Sequence, residues 1–299
     1  MAGPIPRVVV VTRSTPYEAL LERHATRGQA KFFLETRGEA LEVVEAGHNR
    51  VQQALGLVRQ AIPSKWRWSQ VDRRDLDRFL FEPDDIIAVV GQDGLVANVA
   101  KYLDGQVVIG INPLPDEYDG VLVPHPAEAA ADLITGVGQG RVTLEDRTMA
   151  EAKLDDGQSL LALNEIFIGH QTHQSARYRI SVAGKEERHS SSGLIVSTGT
   201  GATGWARSIN LSRGGVLDLP HPSDHELAFF AREAFPSGVT GTEVTCGLID
   251  RGKALAVVSE MNDGGVIFGD GIEDDHLDFV WGQSVQVRVA GSSLSMVRP

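Results

Sequence analysis

Cysteine is almost absent from this chain: one residue in 299, Cys246, carries a thiol. A single thiol excludes an internal disulfide and fits a reducing compartment, and within Val244-Thr245-Cys246-Gly247-Leu248 it reads as a small buried hydrophobe. Basic charge is scarce as well. Lys and Arg number 28 against 40 Asp and Glu, a formal net charge of −12. That balance argues against a nucleic-acid partner, which calls for a basic face to neutralise phosphates, so any phosphate-bearing ligand must be met locally. No apolar stretch approaches the roughly 20 residues that span a bilayer, and no membrane partner is expected. The first strand-like run, Arg7-Val8-Val9-Val10-Val11-Thr12, starts too early to leave room for a cleaved signal, so the expected location is cytoplasmic. There is no internal repeat and no low-complexity tract.

What is present describes an ordinary globular chain, 42% apolar and 23% charged, long enough for two domains with separate cores. Residues 1–135 alternate strand-like and helix-like segments, the pattern of a mostly parallel, doubly wound Rossmann-like α/β domain. Strands are predicted at Val8 to Thr12, Lys65 to Val71, Asp85 to Val90 and Gln106 to Ile111. Helices are predicted at about Tyr17 to Arg37, Glu39 to Ala61 (ended by Pro63), Asp75 to Phe81, Leu95 to Leu103 and Ala127 to Thr135. Gly136-Val137-Gly138-Gln139-Gly140 reads as a linker. From 141 to 299 the texture becomes β-rich and sandwich-like, with Asp155-Asp156-Gly157 as a hairpin turn between Thr143 to Leu154 and Ser159 to Ile168. Further strands are expected at Ala176 to Val182, Leu194 to Ser197, Leu227 to Ala231, Ala254 to Ser259, Val266 to Phe268 and Val285 to Val289. A short helix is expected at Ala202 to Leu211.

Four segments carry candidate chemistry. Gly91-Gln92-Asp93-Gly94 follows the apolar run Ile86 to Val90, so a strand ends in a turn that holds up one carboxylate. Ligands of parallel sheets bind outside the carboxyl ends of strands, and glycines there admit phosphate oxygens to backbone N–H groups. The same pattern also describes a tight connection whose aspartate caps the next helix. Asn164-Glu165 interrupts an apolar stretch. The pair either recognises ligand hydroxyls or an amide, or sits at a strand end that reaches water. In Ser191 to Trp205 a strand enters a turn of glycines and hydroxyls, suited to a nucleotide or equally to a capped helix with a core tryptophan. Asn262-Asp263-Gly264-Gly265 is a polar turn between two strands.

In this order the four segments resemble the NAD kinase family, whose hallmarks are a Gly-Gly-Asp-Gly turn, an Asn-Glu pair, a strand entering a Thr-Gly-Ser-Thr-Ala-Tyr-like turn and a later Asp-Gly pair. The mitochondrial-type branch is the closer match, from Leu20-Leu21-Glu22-Arg23-His24 through Ala162 to Gly169 and Thr198-Gly199-Thr200-Gly201 to Asp263-Gly264-Gly265. The resemblance implies ATP-dependent phosphorylation of the adenosine ribose 2′-hydroxyl of NAD to give NADP. It makes Asp93 the general base and places Gly91, Gln92 and Gly94 at the donor phosphates. Asn164 and Glu165 would hold a ribose or the adenine part, while Thr198, Thr200, Gly201 and Thr203 would line the adenine side. Ser192, Trp205 and Asp263 complete the implied set. Mg2+ would arrive with ATP, polyphosphate is an alternative donor, and a homodimer or larger homo-oligomer is implied.

Two positions depart from the family turn: Gln92 stands in place of its second glycine and Leu95 in place of its threonine. Ser192 replaces the aspartate of most bacterial members, as in the mitochondrial-type branch. Gln92 keeps two competing readings open, an NAD-binding sensor or pseudokinase, and a superfamily kinase acting on a lipid or another nucleoside. The basic, aromatic run Lys65-Trp66-Arg67-Trp68 fits a half-buried strand. The pairs His170/His173 and His221/His225 lack a further ligand, so no structural metal is expected.

Overall fold

The computed structural model describes residues 5–298. The chain divides into two compact units, residues 1–145 with 295–299 and residues 146–294.

The first unit is built on a parallel sheet. Strands β1 (Arg7–Thr12), β2 (Arg67–Asp72), β3 (Ile86–Val90) and β4 (Val107–Asn112) lie in the order β2-β1-β3-β4. All five side chains of β3 are buried, as a strand covered on both faces requires, which explains its unbroken apolar sequence. Val8, Val10, Ile86, Ala88 and Val90 pack with helix α3 (Leu41–Ala61) and with helix α5 (Ala130–Gly138). Helix α4 (Asp93–Ala100) contacts the same strands outside that cluster. Helices α1 (Pro16–His24) and α2 (Arg27–Glu35) form a satellite cluster with the start of α3 through Leu20, Ala30, Leu34 and Leu41. The short β5 (His125–Pro126) pairs with the carboxyl end of β4, and on the same side of β4 residues Ser295 and Met296 pair with Val107 and Val108 at its start.

Several boundaries differ from expectation for local reasons. The single helix predicted over Tyr17 to Arg37 is two, because Ala25 turns to a positive φ of 59° and Thr26 caps a new helix through Gln29 N–H. The predicted helix over Asp75 to Phe81 is a 3₁₀ turn, Arg73–Arg78. The glycines read as a linker do not form one: Gly136 and Gly138 belong to α5, Gly136 buried there and Gly138 set against Trp66.

The second unit is a two-layer β structure. One layer carries β9 (Ala176–Val182), β10 (Lys185–Ser191), β14 (Leu255–Ser259) and β17 (Ser284–Val297) in the order β10-β9-β14-β17. The hairpin β6 (Leu144–Leu154) and β7 (Ser159–Ala162) turns at Gly157. The other layer runs β13-β12-β11-β8-β15-β16. Its strands are β8 (Glu165–His170), β11 (Leu194–Ser197), β12 (Glu226–Ala231), β13 (Cys246–Asp250), β15 (Gly265–Gly269) and β16 (His276–Asp278). Tyr178, Ile180, Leu255 and Val257 from the first layer meet Ile166, Ile168, Val196, Phe229 and Ile267 from the second in one core. The sandwich-like reading is borne out. Strand β9 shows why, since its buried and exposed residues alternate strictly from Ala176 to Ile180.

Three strands, β10, β13 and β16, carry no apolar run that would announce them; β10 reads Lys-Glu-Glu-Arg-His-Ser-Ser and is held by its register with β9. Cys246 is only partly buried, on β13 beside Phe230 and Ala228. Helix α6 (Trp205–Ser212) follows a 3₁₀ turn at Gly201–Thr203. No helix among the described residues is long and apolar enough to cross a membrane.

The entrances of β1 and β3 are tied by a nearly buried ion pair. Arg7 donates to both carboxylate oxygens of Asp85, at 2.9 and 2.6 Å, and Asp85 also accepts from Glu82 N–H at 2.7 Å. Asp85→Ala strands the Arg7 guanidinium in an enclosed setting and is expected to destabilise the fold by about 3 kcal/mol, read from urea or thermal unfolding.

Candidate functional site

In the first unit the Gly91-Gln92-Asp93-Gly94 turn lies at the carboxyl end of β3, as the sequence suggested. Asp93 occupies the first position of α4 and spends its carboxylate on a facing loop. Oδ1 accepts from Leu122 N–H at 2.8 Å and Val123 N–H at 3.2 Å, and Oδ2 from Val121 N–H at 3.1 Å. That loop closes in because Gly110 on β4 has no side chain; a Cβ there would stand 1.8 Å from the Leu122 carbonyl oxygen. Each carboxylate oxygen offers two acceptor directions, so Oδ2, with one amide, retains one.

Gln92 takes ordinary extended dihedrals, φ −98° and ψ 166°, with its side chain exposed. The backbone therefore does not require glycine at this position. The Tyr118 hydroxyl has its pKa raised chiefly by burial and then by the charge of Glu117. Gly94 has open space around its missing Cβ, and Gly91 faces only the Leu95 side chain.

In the second unit the chain turns a corner at Leu163-Asn164 between β7 and β8, and three groups hold it. Asp270 accepts Leu163 N–H at 3.0 Å and Asn164 N–H at 2.6 Å. The backbone N–H of Thr198 donates to the Asn164 carbonyl at 2.9 Å, and its hydroxyl donates to the Leu163 carbonyl at 2.5 Å. The same hydroxyl accepts from Thr200 and Gly201 N–H at 3.1 and 3.3 Å. Thr198, fully buried, thus shapes the turn, with its hydroxyl used up inside it. Thr200 is buried too, and its Oγ1 has no protein partner among the described residues. Gly201 is required by close approach, since a Cβ would lie 2.3 Å from the Asn164 carbonyl oxygen.

Asn164, Glu165, Thr198, Thr200 and Gly201 are therefore one constellation, and Thr203 is exposed at its edge. Ser192 and Trp205 line a neighbouring cavity of about 680 Å³ with Phe167, Arg232 and His276. Trp205 stacks on Phe167 at 6.4 Å between ring centroids, and the Arg232 guanidinium lies 5.1 Å over it. Asp263 is not brought in; it is exposed on the turn after β14. The aspartate that meets the Asn-Glu pair is Asp270, at a positive φ of 55° ahead of Gly271. After the glycine-hydroxyl turn Asp-Gly occurs twice, at 263–264 and 270–271, and the one at the end of β15 is the one that reaches the Asn-Glu pair.

Glu165 feels this crowding. Burial first, and the nearby Asp270 charge second, raise its carboxyl to about 7. The sign follows from linkage. Between the ordinary value near 4.5 and about 7 the folded chain holds a proton the unfolded chain has lost, so stability falls as pH rises through that window. Glu165→Gln removes the dependence: it is expected to stabilise at pH 8 by about 1–3 kcal/mol and to be neutral at pH 4, read from paired thermal melts. Gly201→Ala is expected to cost more than about 2 kcal/mol at every pH, because it drives a methyl into a backbone carbonyl.

No family model matches the chain. It is similar to the mitochondrial NAD kinase 2 of Rattus norvegicus, 26% identical over 255 residues, covering 68% of this chain and 60% of that protein. It is also similar to the NAD kinase of Cupriavidus pinatubonensis, 32% identical over 144 residues, or 46% of this chain and 45% of the relative. The chain thus spans at most about 60% of the length of these relatives. Among solved structures, an NAD kinase from Archaeoglobus fulgidus in complex with ATP shares the fold with a TM-score of 0.60 at 17% identity, over 98% of this chain and 93% of that one. The resemblance drawn from the four segments is borne out by these likenesses, as is the α/β and β-sandwich-like architecture.

Proposed function

We propose that the chain transfers a phosphoryl group from ATP to the 2′-hydroxyl of the adenosine ribose of NAD, making NADP. The observation that carries this reading is the Asp93 turn: a carboxylate fixed by three loop amides at the carboxyl end of a parallel strand, with one acceptor direction on Oδ2 left over. Phosphoryl transfer asks the protein for positioning and charge neutralisation more than covalent chemistry, and a rigidly held carboxylate suits the removal of a hydroxyl proton. Gly91, Gln92 and Gly94 would face the donor phosphates, with Mg2+ brought in as part of the donor. Asn164 and Glu165 would hold the ribose or adenine part. The unpartnered Thr200 hydroxyl supplies hydrogen-bonding capacity beside them in the turn that Thr198, Gly201 and Thr203 build, and Ser192 and Trp205 border the adjoining cavity. Glu165, with its carboxyl raised to about 7, offers a hydroxyl-type donor in its protonated form and an acceptor in its ionised form, and both suit a diol or amide.

The likeness to NAD kinases of two branches supports the substrate pair, with polyphosphate as an alternative donor. A homodimer or larger homo-oligomer belongs to the same reading, and light scattering of the purified chain measures it. A cytoplasmic location rests on the single thiol. Gln92 favours one competing reading, an NAD-binding protein without turnover, since an exposed side chain stands beside the proposed phosphate position where the resembled turn has a glycine.

Purified protein supplied with ATP, Mg2+ and NAD is expected to form NADP. Asp93→Asn is expected to lower kcat by at least about 10³-fold. The variant keeps one oxygen for Leu122 and Val123 but turns an amide N–H₂ on Val121, at a stability cost of about 1–3 kcal/mol. An Asp93→Asn enzyme with wild-type turnover removes the base role, and NAD binding without NADP formation, relieved by Gln92→Gly, establishes the competing reading.

A further inference from the structure

The edge strand β10 turns an entirely polar face inward. Glu187, His189 and Ser191 alternate along it, and in the β9 register they lie opposite Ile180, Tyr178 and Ala176 of the sandwich core. His189 and Tyr178 are fully enclosed, and Ser191 is nearly so. Apolar residues of similar shape would pack here as well or better, so a buried polar series on this face points to orientation rather than stability.

Glu187, His189, Tyr178 and Ser191 form one directed series of hydrogen bonds. Desolvation raises the Glu187 carboxyl, but the Val244 amide, the His189 ring and the Glu243 amide outweigh it and hold the group below the usual carboxylate range. An ionised carboxylate only accepts, so the proton on His189 Nε2 goes to Glu187 Oε2 at 2.7 Å. Nδ1 of the neutral ring is then an acceptor, and the Tyr178 hydroxyl at 3.4 Å is the donor the structure offers it. Burial raises the Tyr178 hydroxyl well above its ordinary value, so it keeps its proton. Ser191 in turn donates to the Tyr178 oxygen at 2.9 Å, and Ser191 Oγ accepts the Gly193 N–H at 3.0 Å. In this order every buried polar atom of the four side chains has a partner.

The two ends of the series hold the two ends of the segment that carries Arg232. At one end Gly193 has a positive φ of 106°, and the corner locks onto Arg232: Ser192 N–H donates to the Arg232 carbonyl at 2.9 Å and Arg232 N–H to the Gly193 carbonyl at 2.8 Å. A Cβ on Gly193 would stand 2.5 Å from Phe167, so the corner also backs the ring on which Trp205 stacks. At the other end the loop leaving Arg232 returns to β10, where Glu187 accepts Glu243 N–H at 3.0 Å and Val244 N–H at 2.8 Å. Phe167, Ser192, Trp205 and Arg232 line the cavity of about 680 Å³, and none of the four side chains of the series does. They act on its wall from behind.

We propose that His189 is a positioning residue for the dinucleotide: through Tyr178 and Ser191 it sets the Ser192-Gly193 corner against Arg232, and with it the cavity wall that meets the substrate. The assignment rests on the kinase reading for the identity of that ligand. The test is steady-state kinetics of the full chain, with NAD binding measured by calorimetry in the absence of ATP. His189→Leu interrupts the series, and Tyr178→Phe removes its middle hydroxyl while keeping the ring. Each is expected to raise KM and Kd for NAD by about fivefold or more, with kcat and the KM for ATP within about twofold of wild type. His189→Gln still offers an amide N–H to Glu187 and a carbonyl oxygen to Tyr178, and is expected to keep the wild-type KM for NAD. Tyr178→Phe carries the test should His189→Leu fail to fold. Unchanged NAD affinity in the folded variants, an equal loss of kcat and of both affinities, or a Gln variant no better than the Leu variant overturns the proposal. Weakened NAD binding by the variants of a chain that makes no NADP removes the kinase reading and leaves the positioning role. NADP formation with unaltered NAD affinity removes the positioning role alone, and a wild-type chain that binds no NAD removes both.

Discussion

Backbone amides at the corners of the chain must find acceptors, and in this protein carboxylates provide them. Asp93 takes three amides of residues 121–123, and Asp270 takes those of Leu163 and Asn164. Glu187 does the same for Glu243 and Val244, while also receiving His189 at 2.7 Å. An enclosed N–H without a partner costs as much as a lost hydrogen bond, and a charged acceptor makes the stronger bond. Each carboxylate therefore orders a loop that no apolar side chain could hold. An acidic chain is the natural composition for this device.

The same device decides which groups are available to a ligand. Thr198 looks like a binding residue by type, yet its hydroxyl is consumed by one carbonyl and two amides. Thr200, two residues on, keeps an unpartnered buried hydroxyl because the turn has already been closed without it. Asp93 stands between these cases: its amides fix the geometry, and the spare direction on Oδ2 is the one the proposed proton removal would use. In that proposal one carboxylate is both positioned by the loop and open on one oxygen. At Glu165 the two parts belong to different residues, since Asp270 holds the corner and its charge helps keep Glu165 protonated.

Glycine plays a narrower part than its abundance suggests. At Gly110 and Gly201 the missing Cβ lets one backbone touch another, whereas Gly94 fills no such need. Gln92 fits the related turn because its backbone lies in the ordinary extended region. Its effect is confined to the space its exposed side chain takes beside Asp93.

By itself the sequence determined the elements whose burial is complete or strictly alternating: the apolar β3, the two-residue rhythm of β9, and the long α3. It also marked Asp93, Asn164-Glu165 and the glycine-hydroxyl turn, because polar groups inside apolar runs stand out. Strands such as β10, whose residues are mostly charged, were invisible, since only pairing with β9 makes them strands. The choice of Asp270 over Asp263 was equally beyond reach: both are followed by glycine, and only the pairing of β15 with β8 sets one of them against Asn164. A crevice of about 320 Å³ at the carboxyl ends of β1 and β3 likewise gathers residues from 13 to 118 that share no local pattern. Local composition records what each segment must bury; which corners face one another is decided by strand order and close approach, which only the tertiary structure contains.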